Sequence, residues 1–282
     1  MGMKLSQQLS KKEYLVSHLS RKEDLTATYP AYYWNLDNGE IDPRALEVDH
    51  VIHLAGAGVA DGRWTKHRKK QIYDSRILST RLLAEKIKGT NVKSVVCASA
   101  IGIYGGDTGS NWVDEQSTYG DDFLAKVVTD WELETTGFTV PVSQIRIGIV
   151  LSNEGGALPR IALPVKWGLG AALGRGQQYM SWIHVQDLVD MFEFALVNRL
   201  SGPYNAAAPQ PVTNRDFTKS IGKAINRPVW LPAIPGFLLK MVLGEMSQVV
   251  LGGNRVSSEK IVKQGFDFTY KELQPALKNI LN

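Results

Sequence analysis

Small, hydroxyl-bearing and cationic residues recur in this sequence just after short apolar runs. Ser20-Arg21 follows the run 14–19, Ala55-Gly56-Ala57-Gly58 follows 49–54, and Ser99-Ala100 closes 92–99. A fourth run, 142–151, carries Arg146 within it. If these runs are parallel strands, the groups lie at their carboxyl ends, where open α/β sheets bind ligands. Any one glycine there would equally well shape a turn. Small residues at several consecutive strand ends instead point to a crevice in which a ligand meets the backbone closely. Hydroxyls and guanidinium groups offer hydrogen bonding, charge pairing and proton transfer. Five scattered histidines and one cysteine show no ligand spacing, so no metal site is expected.

The elements that must position these groups follow from periodicity. Residues 3–12 have the spacing of an amphipathic helix with Leu5 and Leu9 on one face. Longer helices are expected over 66–88 and 121–136, between the strand candidates. Strands alternating with helices of this length indicate βαβ units and a doubly wound parallel sheet covered on both faces. Beyond residue 160, glycine and proline punctuate shorter segments, which is the pattern of a smaller lobe. The chain has 282 residues, 44% hydrophobic and 21% charged, enough to bury a core without metal or disulfide. Its net charge of +4 is dispersed, which favours anionic small molecules and gives no reason to expect nucleic acid. Cys97 alone cannot form an internal disulfide and fits a reducing compartment. With no secretory segment and no apolar run near the roughly 20 residues of a membrane span, a soluble cytoplasmic protein is expected.

Several stretches carry a family likeness. They are Val51-Ile52-His53-Leu54-Ala55-Gly56-Ala57-Gly58, Arg63-Trp64-Thr65, Asp74-Ser75-Arg76-Ile77, Ser99-Ala100-Ile101-Gly102-Ile103-Tyr104-Gly105, Trp131-Glu132, Ser181-Trp182-Ile183-His184 with Asp187 and, in the tail, Gly244-Glu245, Arg255-Val256, Gly265-Phe266 and Ala276-Leu277. In this order they resemble the extended short-chain dehydrogenase/reductase superfamily, specifically its NAD(P)-dependent epimerase/dehydratase-like branch with a DUF1731-type C-terminal tail. The resemblance implies a Rossmann-like dinucleotide-binding domain over 1–160, rejoined by 181–208. A small substrate lobe would comprise 161–180 and 209–282. It also implies hydride transfer on a carbonyl or hydroxyl of a small-molecule substrate.

Two departures qualify what the family implies. Its members begin with a strand feeding a glycine-rich turn whose N–H groups hold pyrophosphate. Here Gly2 resembles the last glycine of that turn. The expectation is therefore a chain that begins within the motif; the alternative is a protein that binds dinucleotide poorly. The family's acid/base pair, Tyr-x-x-x-Lys, is also missing: Lys126 holds the lysine position, but Asp122 holds that of the tyrosine. The catalytic candidates are thus Ser99, Tyr104 and Lys126, with Tyr119 as a second nearby phenol and a solvated helix face as the alternative for Lys126. Gly2, Ser20, Arg21, Leu54, Ala55, Gly56, Ala57 and Arg146 are expected to face the cofactor. An arginine at position 21, where NAD enzymes place an acid, suits the 2′-phosphate of NADP over NAD. Trp64 either caps the crevice or packs in the core, and Gln177 either lines the substrate pocket or is simply a polar loop residue. The leading expectation is an enzyme; the rivals are a cofactor-binding sensor or scaffold without catalysis, and a chain that binds no dinucleotide.

Overall fold

The computed structural model describes residues 1–281. The first half runs α1 (Gly2–Lys11), β1 (His18–Ser20), β2 (Ala31–Asn35), β3 (Glu40–Ile41), β4 (His50–His53), α2 (Lys66–Lys86), β5 (Ser94–Ala100) and β6 (Asp107–Val113). Next come α3 (Phe123–Glu134), β7 (Val142–Ile147), β8 (Ile149–Leu151), α4 (Ala157–Lys166), β9 (Tyr179–Met180), β10 (Trp182–His184) and α5 (Val185–Val197). The chain closes with β11 (Gly202–Ala206), β12 (Val212–Thr213), α6 (Asn214–Ala224), α7 (Gly236–Leu243), α8 (Ser247–Leu251), β13 (Gly253–Val256), α9 (Glu259–Lys263) and α10 (Leu273–Leu281).

The fold is α/β around a parallel sheet ordered β11-β7-β5-β4. Strand β5 is buried along all but its last residue, because helices cover both faces. Its alternate side chains enter opposite cores. Val95 and Cys97 join Leu82 and Leu83 of α2, whereas Val96 and Ala98 join Leu5 and Leu9 of α1 with Leu188 and Phe192 of α5. Each buried aliphatic side chain stabilises the sheet by roughly 1.5–3 kcal/mol. A second sheet, β1-β2-β3, stands beside it, and no ladder joins β1 to β4. A further core, around Trp182, Phe217, Ile221 and Leu277, packs α4, α6 and α10 together.

Two expectations from periodicity change, and one strand is added to them. The strand at 14–19 shrinks to His18–Ser20. The aromatic run Ala31-Tyr32-Tyr33-Trp34-Asn35 forms a strand that alternation alone does not reveal. The single strand at 142–151 is two: β7 pairs with β5 and β11, and β8 pairs with β10. Gly148 makes the break, since a Cβ there would lie 2.4 Å from the Ser181 carbonyl oxygen. Among the described residues, no helix is long and apolar enough to cross a membrane.

Candidate functional site

Parallel register sets Ser99 of β5 directly opposite Arg146 of β7, near the carboxyl ends of both strands. Glu132 of α3 reaches both. Its Oε1 accepts from Ser99 Oγ at 2.6 Å and from Arg146 Nε at 2.8 Å, and its Oε2 accepts from Arg146 Nη2 at 2.7 Å. Arg146 is fully buried, so every donor must find a partner for the charge to be tolerated. They do: Nη1 donates to the Tyr104 hydroxyl at 3.0 Å and to the Glu115 carbonyl at 3.5 Å, and Nη2 also donates to the Tyr119 hydroxyl at 3.0 Å. Burial alone would depress the guanidinium pKa, but the Glu132 hydrogen bonds and charge outweigh it and hold it above its ordinary value.

The three hydroxyls in this network are not equivalent. Ser99 donates inward to Glu132. Tyr104 donates to Asn205 Oδ1 at 2.7 Å, and burial pushes its phenol up to about 12 despite the opposing pull of Arg146. Asn205 is itself held by Glu115 Oε1 on its N–H and by Ser257 through its amide. Tyr119 is 45% exposed, and its hydrogen has no protein acceptor among the described residues. Its loop is fixed by a close approach of two glycines: a Cβ on Gly120 would lie 2.3 Å from Gly105 Cα, and Gly120 N–H donates to the Ile103 carbonyl at 2.8 Å.

Lys126 stands outside this network. Asp122 caps α3, accepting from Leu124 and Ala125 N–H groups at 2.8 and 3.1 Å, and the resulting helix phase turns Lys126 to solvent while Val128 and Trp131 pack inward. Arg146 is likewise enclosed by protein partners and does not present a free guanidinium to a ligand. Glu132, Glu115 and Asn205 went unnoticed as site residues. The signal for Glu132 was the family-like stretch Trp131-Glu132.

Of the expected cofactor residues, Gly2 starts α1, Leu54, Ala55, Gly56 and Ala57 follow β4, and Ser20 and Arg21 stand at the end of β1. Gly2 is exposed at the start of α1, and a Cβ there would meet Leu54 Cδ1 at 3.7 Å. The loop 54–58 is pinned through Ala57, whose N–H donates to Ser75 Oγ at 2.9 Å and whose carbonyl accepts from Arg76 at 3.0 Å. Gly56 leaves room beside it, since a Cβ would sit 3.1 Å from the Arg76 guanidinium carbon. Ser20 Oγ accepts from Lys22 N–H at 3.2 Å, and Arg21 is exposed with no ion pair among the described residues. A helix N-terminus, a close-packed loop with its small residues at a strand end and a free guanidinium fit the phosphate side of a dinucleotide.

The substrate-side expectations separate. Gln177 lines a cleft of about 960 Å³ between β6 and the segments around Thr213 and α7. Trp64 does not line it. The indole is buried, donates to the Val59 carbonyl at 2.9 Å and meets the Phe123 ring edge-on at 5.2 Å. His184 caps α5 and stacks on Tyr270 at 3.8 Å, while Asp187 accepts N–H bonds from Thr269 and Tyr270 at 2.8 and 3.0 Å. That segment fastens the C-terminal tail to the main sheet.

Residues 1–207 match the model of the NAD dependent epimerase/dehydratase family, and 234–280 match a domain of unknown function, DUF1731. An epimerase family protein of Mycobacterium bovis is 39% identical over 253 residues, covering 87% of this chain and 83% of the relative. The crystal structure of the human epimerase family protein SDR39U1 (isoform 2) with NADPH is similar at a TM-score of 0.89 and 30% identity, over 99% of this chain and 95% of that one. A nucleoside-diphosphate sugar epimerase from Corynebacterium glutamicum gives a TM-score of 0.80 and 31% identity, over 99% of this chain and 55% of that one.

Proposed function

The chain belongs to the NAD dependent epimerase/dehydratase family, and on that premise we propose that it is an NADP-dependent oxidoreductase or nucleotide-sugar-epimerase-like enzyme acting on a carbonyl or hydroxyl. A nicotinamide dinucleotide cofactor and an epimerase- or oxidoreductase-like role are supported at the family level. The observation that carries the reading is the likeness, along nearly the whole chain, to a human relative solved with NADPH. Preference for NADP rests on Arg21, whose free guanidinium suits a 2′-phosphate, with Ser20 beside it.

Bound nicotinamide dinucleotide supplies the hydride donor or acceptor. Gly2, Leu54, Ala55, Gly56 and Ala57 would hold it through close backbone approach. Ser99 and Tyr104 direct their protons into the protein, so they act as positioning residues that fix Glu132 and Arg146. Proton transfer falls to Tyr119, the one phenol of the network with an uncommitted hydrogen. The Arg146 N–H on its oxygen compensates the negative charge that develops as the proton leaves. Gln177 then meets the substrate from the cleft. A second reading, the sensor, is favoured by one observation: Lys126 faces outward, and no lysine among the described residues hydrogen-bonds a phenol of the network.

Titrating NADPH and NADH against the protein and Arg21→Ala, followed by nicotinamide fluorescence, tests the cofactor. A charged hydrogen-bonding pair contributes roughly 1.5–3 kcal/mol, so NADPH should bind about 10- to 100-fold more tightly and lose that advantage in the variant. Equal affinities, unchanged by the substitution, would remove the NADP assignment. Cofactor binding without turnover on any nucleotide sugar or carbonyl would favour the sensor.

A further inference from the structure

Helix α7, Gly-Phe-Leu-Leu-Lys-Met-Val-Leu, buries none of its eight residues. Phe237 is 69% and Met241 71% exposed, although a helix this apolar is ordinarily covered. Polar tethers fix it near both ends. Ile234 N–H donates to the Ala172 carbonyl at 2.8 Å, and its own carbonyl accepts from Gly174 at 2.9 Å. At the far end Arg63 donates to the Val242 carbonyl at 2.9 Å, and Lys69 pairs with Glu245.

Three- and four-residue spacing puts Phe237, Lys240 and Met241 on one side of α7. Phe237 and Lys240 line the cleft of about 960 Å³ together with Arg175, Gln177 and Leu251. Neither Lys240 nor Arg175 has an ion pair among the described residues, and both are exposed. The one carboxylate on the cleft wall, Asp107, accepts from Gly109 N–H at 2.9 Å. The cleft therefore sets two cations without ion-pair partners, against a single carboxylate, beside an apolar wall that continues past its mouth along α7.

We propose that this cleft takes an amphipathic anion, a substrate with a phosphate-like head and an apolar tail. Arg175 and Lys240 hold the head. Phe237 and Leu251 cover the tail, and Met241 extends that cover outward. The proposal rests on the cleft being the substrate site of the enzyme described above, and it names the class of that substrate.

Calorimetric titration of the full chain with octyl phosphate, inorganic phosphate, UDP-glucose and phosphatidylglycerol vesicles tests it, with NADPH titrated separately. Each buried methylene tightens binding about fourfold, so octyl phosphate should bind at least roughly 100-fold more tightly than inorganic phosphate and more tightly than UDP-glucose. Phe237→Ala should weaken octyl phosphate about tenfold and leave inorganic phosphate unchanged. Lys240→Gln should weaken both. Because both side chains are exposed, neither change should disturb folding, and unaltered thermal melts would confirm that. Equal affinity for octyl and inorganic phosphate, no binding of either, tighter binding of UDP-glucose with Phe237→Ala silent, or stronger binding to phosphatidylglycerol vesicles than to octyl phosphate would each overturn the proposal. If octyl phosphate binds but NADPH does not, the enzymatic reading fails while the ligand class stands; the reverse result sinks the ligand class alone.

Discussion

Arg146 commits all five of its N–H donors to protein partners, and that commitment ranks the phenols around it. Tyr104 is a buried link between Arg146 and Asn205, whereas Tyr119 is rigidly held and still reaches solvent. Tyr119→Phe should therefore lower turnover roughly 10²–10⁴-fold with NADPH affinity unchanged, and Tyr104→Phe should mainly lower the melting temperature. Full turnover in Tyr119→Phe would exclude it as the proton donor. A second residue gives a pH prediction. His53 is enclosed between Thr80 and Ser79 hydroxyls at 3.0 and 3.1 Å, and burial pulls its pKa down from 6.5 to about 4. The unfolded chain thus binds the proton first as pH falls. The stability that neutral His53 contributes is complete above about pH 6.5 and declines until about pH 4, by about 3 kcal/mol. Denaturant melts across that window should show the decline, and His53→Asn should flatten it by a comparable amount; an unaltered slope would disprove the assignment.

At the scale of elements, the site depends on two strands being cut to length. β7 must end at Ile147 so that Arg146 faces Ser99, and β8 must leave the main sheet to meet β10. Gly148 permits both, donating to the Ala206 carbonyl at 3.0 Å while Ser181 closes against its Cα. A methyl group there has no flexible neighbour to displace. Gly148→Ala should cost about 1–3 kcal/mol and shift the melting temperature down by several degrees. A melt identical to the parent would mean that the two ladders adjust more freely than their hydrogen bonds imply. α3 shows the same dependence: the Asp122 cap fixes its phase, and that phase brings Glu132 to Arg146 and sends Lys126 outward.

For the whole molecule, two of the sheets share a core without sharing a ladder. β4 ends one sheet and β1 the other, and no ladder connects them, although Leu19 and Val51 pack against the same core. A strand placed between two such edges would be buried on both faces and would satisfy both backbones. Fusing a valine-rich strand and Gly-x-x-Gly-x-x-Gly turn ahead of α1 should raise the melting temperature and tighten NADPH, since the turn adds N–H donors for pyrophosphate. A melting temperature unchanged by the fusion would show that the edges are already satisfied.

The sequence alone determined the α/β class, the parallel core strands 49–54 and 92–99 and the long helix after residue 66, because these depend on local periodicity and continuous apolar runs. Sequence order and motif likeness also located Ser99, Tyr104 and Arg146 near strand ends. Their roles were decided only by tertiary structure. Whether a hydroxyl donates inward or outward depends on partners such as Glu132, Asn205 and Ser257, which are 33, 101 and 52 residues distant from the groups they bind. Trp64 gave no local sign of packing on Phe123, and the solvent-facing alternative for Lys126 was decided by helix phase, which a cap and a core set rather than the residue itself. Burial and hydrogen-bond direction are properties of the assembled sheet, and on them rests which phenol can give up its proton.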